Sequence, residues 1–145
     1  MTAKPRFTTT VRVEFCDTDM AGIVHFANFF RYMERAESEF FRAFGKTLAK
    51  HNDDGTSVGW PRVNTSCSFK APAYYEDELE VRIFVMRRGV KSLTLQFEFW
   101  RDETHIATGQ IKTAYCLFRP GQPLQSLEIP AEYNEMLPDT GPETI

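Results

Sequence analysis

The chain has 145 residues, 42% hydrophobic and 26% charged, which suits one folded domain with a single core and excludes a disordered segment. With 17 Lys and Arg against 20 Asp and Glu the net charge is -3, so no global basic field invites nucleic acid. No apolar run approaches the ~18 residues that argue a membrane span, and the opening MTAKPRFTTT lacks the apolar core of a secretory signal; a soluble, uncleaved, cytoplasmic protein without membrane insertion is expected.

Residues 9–15 alternate, with Val11, Val13 and Phe15 on one face, the period-two pattern of a half-buried strand. A polar, glycine-containing loop follows, CDTDMAGIV. Over residues 26–44 the spacing turns helical: Phe29, Met33, Ala36, Phe40 and Phe44 share one stripe, and Phe26, Phe30 and Phe41 widen it. Arg31, Glu34, Arg35, Ser38 and Arg42 fall largely on the other side, and Gly45 supplies a stop. Residues 46–60 read as a loop centred on HNDDG.

After that the chain is nearly all strand. Residues 62–69 form one. Leu79, Val81, Ile83 and Val85 alternate in the next, and Leu93, Leu95, Phe97 and Phe99 in a third. A long fourth starts at Ile106, with Ile111, Thr113, Tyr115 and Leu117 on one face. The short turns at 88–90 and 102–103 make antiparallel hairpins of them. Residues 130–137 suit one terminal helical turn with Pro130 at its start, and the chain past Pro138 reads as a frayed tail.

One strand, one long helix and four strands predict a single α+β domain over residues 1–145. Its five-stranded antiparallel sheet wraps round the helix, because a lone apolar helix stripe needs an apolar sheet face to cover it. The exposed edges and apolar faces of such a unit favour a second subunit. The cysteines, Cys16, Cys67 and Cys116, fit no zinc spacing and are odd in number, so reduced buried thiols are expected and no metal site. Cys16, beside Asp17, is the one candidate for a reactive thiol.

The stretch VEFCDTDMAGIVHFANFFRYMERAE, from Val13 to Glu37, resembles the opening motif of the 4-hydroxybenzoyl-CoA thioesterase family of hotdog proteins. The likeness lies in the strand, the Asp-x-Asp pair, the Gly-Ile-Val turn and the aromatic-rich helix. RVNTSCSFKAPAYYEDELEV, RRGVKSLTLQFEF and LEIPAEYNEML extend it over about residues 8–137. The resemblance implies a hotdog fold, subunits paired into continuous sheets as a homodimer or a homotetramer of two dimers, and active sites at the subunit interface. It also implies hydrolysis of an acyl-CoA, with Asp19 as the catalytic carboxylate and the Phe26 main-chain N–H as the donor to the thioester oxygen. The chain departs from the family at Glu34, where the 4-hydroxybenzoyl enzyme has Asp.

The chemistry agrees with that assignment. A carboxylate can activate water or attack the thioester itself and form an anhydride. The N–H groups of a helix's first turn can polarise the carbonyl without metal or cofactor. By spacing alone Asp19 would be a turn-capping residue, and Asp17 is read as such a contact within the turn. His25 is a possible base but better suits a pocket-lining or hydrogen-bonding role. Asn28 either caps the helix, the preferred reading, or holds the water. Glu34 and Glu37 are expected to be solvated or ion-paired.

Phe26, Phe29, Phe30 and Tyr32 are candidates for the acyl pocket, with core packing the alternative for those that face the sheet. Arg87, Arg88 and Lys91 cluster at a hairpin turn where CoA phosphates could bind; Lys91 matches the family best by position. The alternatives are an accessory hotdog protein that binds acyl-CoA or acyl-carrier protein without turnover, and a dehydratase, which lacks the paired His and carboxylate that chemistry wants.

Overall fold

An 18-residue helix, α1 (Phe26–Ala43), lies across one face of a five-stranded antiparallel sheet. The computed structural model describes residues 4–138. The sheet holds β1 (Phe7–Arg12), β4 (Arg62–Phe69), β5 (Glu78–Arg88), β6 (Ser92–Arg101) and β7 (Thr104–Ala114) in the order β1-β5-β6-β7-β4. Helix α1 is buried along Phe29, Met33, Ala36, Phe40 and Phe41, as its apolar stripe requires. Opposite it, Leu79, Val81 and Ile83 of β5 and Leu93, Leu95, Phe97 and Phe99 of β6 are almost wholly buried. Burying each of these large side chains contributes about 1.5–3 kcal/mol, so this interface is the main source of stability.

The helix stops where the glycine sits. Gly45 has φ +71, and the N–H groups of Gly45 and Lys46 bond back to the carbonyls of Arg42 and Phe41. That pairing satisfies two carbonyls that the helix end would leave open. Between β6 and β7 the chain reverses through Asp102 and Glu103, with Asp102 at φ +51, as a two-residue hairpin turn demands.

Three expectations need correction. Phe15 is not a strand residue: β1 runs from Phe7 to Arg12, and Phe15 sits in a 3-10 turn (Phe15–Asp17) with 75% of its surface exposed. The segment 46–60 is not all loop. It holds β2 (Ala49–His51) and β3 (Ser57–Gly59), which join β8 (Cys116–Phe118) and β9 (Gln125–Ser126) in a second, four-stranded sheet of order β2-β3-β8-β9. The last long strand breaks at Tyr115, whose N–H bonds to Lys91 and whose carbonyl accepts from Leu127. Past the break, β8 pairs with β3 and β9. The terminal helical turn is a 3-10 turn at Ala131–Tyr133, after Pro130. The tail proposed past residue 138 lies outside the described residues.

Candidate active site

The Asp-x-Asp loop spans the gap between β1 and α1. It is held against the segment 73–77, where Val13 and Asp77, Glu76 and Val13, and Val24 and Ala73 pair through the main chain. Within it the two aspartates do different work. Asp17 Oδ2 accepts from the Glu14 N–H at 2.9 Å and from the Tyr32 hydroxyl at 2.8 Å. The Asp17 carbonyl accepts from the His25 N–H and from the Asn28 side-chain amide. Asp17 therefore ties the loop to the first turns of α1, the structural role expected of it.

Asp19 sits on a tight turn. Its N–H bonds to the Ile23 carbonyl, its own carbonyl accepts from Gly22, and Oδ1 accepts from the Ala21 N–H, each at 2.9 Å. Gly22 at φ +80 makes the turn possible. One carboxylate oxygen is thus fixed, and Oδ2 has no protein donor among the described residues. The side chain is exposed.

Helix α1 begins directly after this turn. His25, and not Asn28, is its N-cap: His25 Nδ1 accepts from the Ala27 N–H at 3.2 Å. An accepting Nδ1 places the ring proton on Nε2 and engages the nitrogen nearest the helix. Asn28 lies one turn too far in to cap, and its amide is spent on the Asp17 carbonyl. The Phe26 N–H finds no protein acceptor among the described residues, so the first helical amide is open to an incoming oxygen. The imidazole stacks on the Phe26 ring at 4.6 Å.

Apolar surface surrounds the turn. Phe15, Met20, Phe26, Tyr74 and Tyr75 are all about half exposed or more, and Phe15 meets Tyr75 edge-on at 5.6 Å. Such a cluster marks a place for a ligand or a second subunit. Phe29 and Tyr32 do not belong to it. Phe29 is packed edge-on against Tyr32, Phe69 and Phe99 in the core, and Tyr32 is buried with its hydroxyl committed to Asp17. Burial, reinforced by the Asp17 carboxylate, pushes the Tyr32 phenol far above its ordinary range.

Glu34 is exposed and lies 3.5 Å from Arg62 of β4. Glu37 is 1% exposed and meets the same guanidinium at 2.6 Å. Burial pushes the Glu37 carboxyl up to about 7, although Arg62 pulls it back. Both glutamates are ion-paired, and Glu37 is not solvated. Arg62 went unnoticed in the sequence because its partner lies 25 residues away on another element.

Arg87 and Arg88 line an open cleft of about 740 Å³ at the β5–β6 turn, together with Val90, Glu128 and Asn134. Arg88 also donates to the Leu137 carbonyl at 2.7 Å. Lys91 is exposed on the same turn. Among the described residues no group of three or more His, Cys, Asp or Glu side chains could hold a metal ion.

Comparison with known proteins gives the family. Residues 13–137 match the family model of the thioesterase-like superfamily. The chain is 29% identical to a 4-hydroxybenzoyl-CoA thioesterase of Pseudomonas sp. (strain CBS-3), covering 86% of this chain and 92% of that one. It is 28% identical to a 1,4-dihydroxy-2-naphthoyl-CoA hydrolase of Prochlorococcus marinus (strain NATL1A), over 69% and 71% of the two chains. A gentisyl-coenzyme A thioesterase of solved structure superposes with a TM-score of 0.75 at 27% identity, over 88% of this chain and 99% of that one. The fold is the hotdog, one helix wrapped by an antiparallel sheet, and the chain belongs to the thioesterase-like superfamily and so to the thioester hydrolases.

Proposed function

We propose that the protein hydrolyses an acyl-CoA to the free carboxylic acid and CoA, with Asp19 as the carboxylate that acts on the thioester. The observation that carries this reading is the open Asp19 Oδ2 on a turn locked at Oδ1, just ahead of a helix whose first amide, at Phe26, is unpaired. Water or the carboxylate adds to the carbonyl carbon, and negative charge builds on the carbonyl oxygen. The Phe26 N–H is the donor for that oxygen. The C–S bond then breaks and CoA leaves as the thiol, with the proton taken from water. If Asp19 attacks directly, water opens the resulting anhydride; if it acts as general base, water attacks the thioester. Neither route asks for a metal or any cofactor beyond the substrate's own CoA.

An aromatic acyl group is the first class to test, because the relatives are named for aromatic acyl-CoA substrates and the turn is flanked by the exposed rings of Phe15, Phe26 and Tyr75. Arg87, Arg88 and Lys91 are assigned to the CoA phosphates, with Glu128 limiting where an anion can settle. A second copy completes the site in this reading: β4 is an exposed eight-residue edge strand, and pairing along it joins two sheets and covers a costly open edge. With no helix among the described residues long and apolar enough to cross a membrane, a cytoplasmic location is proposed with it.

The test is a panel of aromatic, short-chain and longer acyl-CoAs, with released thiol read by a chromogenic reagent. Asp19→Asn keeps the Oδ1 acceptor and should lower kcat by about 10²–10⁴-fold with melting unchanged. Full activity in Asp19→Asn, or tight acyl-CoA binding with no turnover by the unmodified chain, overturns the reading; the latter result indicates an accessory protein.

A further inference from the structure

The cleft assigned to the CoA phosphates has two walls of different kinds. One is the β5–β6 turn, with Arg87, Arg88 and Val90. The other is the C-terminal segment, with Glu128, Ile129 and Asn134. Main-chain bonds tie that segment to the body only at its start, where the Leu127 N–H meets the Tyr115 carbonyl at 2.8 Å and the Ile129 N–H meets the Val90 carbonyl at 2.9 Å. Over residues 130–137 the main-chain bonds among the described residues stay inside the segment: Tyr133 to Pro130, Asn134 to Ala131 and Leu137 to Tyr133. Side chains hold this stretch instead. Tyr133, Met136 and Leu137 are buried, Glu132 lies 3.6 Å from Lys46, and two arginines grip the end. Backbone tied down by so few main-chain bonds opens locally ahead of the sheet.

The turn that ends at Leu137 leaves its last carbonyls without partners of their own. Arg6 donates to the Glu135 carbonyl through Nη2 and to the Met136 carbonyl through Nε at 3.1 Å. Arg88 Nη1 donates to the Leu137 carbonyl at 2.7 Å. The two arginines differ in what else they meet. Arg6 stands just ahead of β1 with its guanidinium 5.0 Å from the centre of the Phe44 ring, and it does not line the cleft. Arg88 does. A guanidinium presents five N–H donors in a fixed fork, so Arg88 can hold the Leu137 carbonyl and an anion together. With one prong already fixed, it gives up less freedom when the anion arrives.

Resting on the CoA assignment, we infer that phosphate binding in the cleft and docking of residues 130–137 reinforce each other through Arg88, and that Arg6 is a positioning residue for CoA, acting from outside the cleft through the carbonyls it clasps. When the segment lifts, the cleft loses its Asn134 wall and Arg88 loses its anchor, so the anion is held more weakly. By the same linkage a bound anion opposes lifting.

The probe is unacylated CoA, added at saturation to the full chain, with amide hydrogen exchange of peptides covering residues 131–137 read by mass spectrometry. CoA should slow this exchange at least about fivefold, beyond any slowing seen in β7. In Arg88→Met, CoA should leave the exchange unchanged. Arg6→Met should exchange faster without CoA, bind CoA about three- to tenfold more weakly and raise KM for acyl-CoA with kcat held, and Arg6→Lys should recover most of the loss. Exchange indifferent to CoA in the unmodified chain, slowing undiminished in Arg88→Met, or an Arg6→Met protein that binds CoA as tightly as the unmodified chain overturns the inference. Free CoA undergoes no reaction, so the result does not depend on turnover. Slowing in a chain that hydrolyses no acyl-CoA would sink the hydrolysis and keep the coupling, and hydrolysis by a chain whose segment ignores CoA would do the reverse.

Discussion

The Tyr32 hydroxyl, on the second turn of α1, donates to Asp17 Oδ2 at 2.8 Å and so clamps the loop that carries Asp19 onto the helix that carries the Phe26 amide. Removing either partner leaves the other's polar group poorly satisfied in a partly dry place. Tyr32→Phe and Asp17→Ala are each expected to cost about 1–3 kcal/mol in denaturant melts. The double variant should cost less than the sum, as for any pair in direct contact. Both should lower kcat more than they raise KM, because they loosen the geometry of attack rather than the grip on CoA. Additive losses, or catalysis unaffected in Tyr32→Phe, would sink the clamp.

The buried Glu37 makes a pH prediction. Its folded pKa, near 7, lies above the ordinary carboxylate value of 4.5. The folded state therefore holds a proton that the unfolded state has lost, and stability contributed by this group is full below about pH 4.5 and falls as pH rises towards 7. Glu37→Gln removes the titration. The stability difference between the unmodified chain and Glu37→Gln should shift against the unmodified chain over that interval, by the order of 1–3 kcal/mol at about 1.4 kcal/mol per pKa unit. Arg62→Met should act in the opposite sense at neutral pH, because it strips the buried carboxylate of its counter-charge. Parallel pH profiles for the unmodified chain and Glu37→Gln would refute the account.

The three thiols separate by environment. Burial pushes the Cys67 thiol up to about 11 and raises that of Cys116, whereas Cys16 is exposed. The thiolate is the reactive form. Iodoacetamide at mildly alkaline pH should therefore modify Cys16 first, with Cys67 and Cys116 following only on unfolding. Peptide mass mapping over time checks the order, and early modification of Cys116 contradicts it.

Local periodicity carried the framework. The α1 stripe was legible because one face of an 18-residue helix repeats its apolar positions several times, and β5 and β6 because their alternation is clean. Strands β2 and β3 are three residues each, β2 wholly exposed and β3 buried only at Gly59, with no alternation to read. The break at Tyr115 is set by bonds to Lys91 and Leu127, and no pattern around Tyr115 itself announces them. The site divides the same way. Spacing could not tell Asp17 from Asp19, since both are turn aspartates; the likeness to a family singled out Asp19, and the partner of Asp17 is 15 residues away. Phe29 and Phe26 are three residues apart on one helix, yet one is core and the other surface, because the stripe passes under the first and leaves the second at the helix's open end.

At Gly109 the helix packs directly on the sheet, and here space rather than backbone conformation requires glycine. It lies on β7 opposite Phe97 and Cys67, directly beneath Met33 of α1. A methyl group at Gly109 would run into the Met33 sulfur and stand 3.1 Å from the Ser66 carbonyl. The sulfur can swing away, but the carbonyl belongs to the β4 backbone and cannot. Gly109→Ala should therefore cost about 1–3 kcal/mol by overpacking. Met33→Ala alone should cost about 2–5 kcal/mol through the cavity it opens. In the double variant the new methyl fills part of that cavity, so the combined loss should fall short of the sum. Met33 sits one turn beyond Phe29, so a shift there would also displace the helix start, and Gly109→Ala should lower kcat alongside stability. A Gly109→Ala protein as stable as the unmodified chain would show that α1 does not rest on β7 at this point.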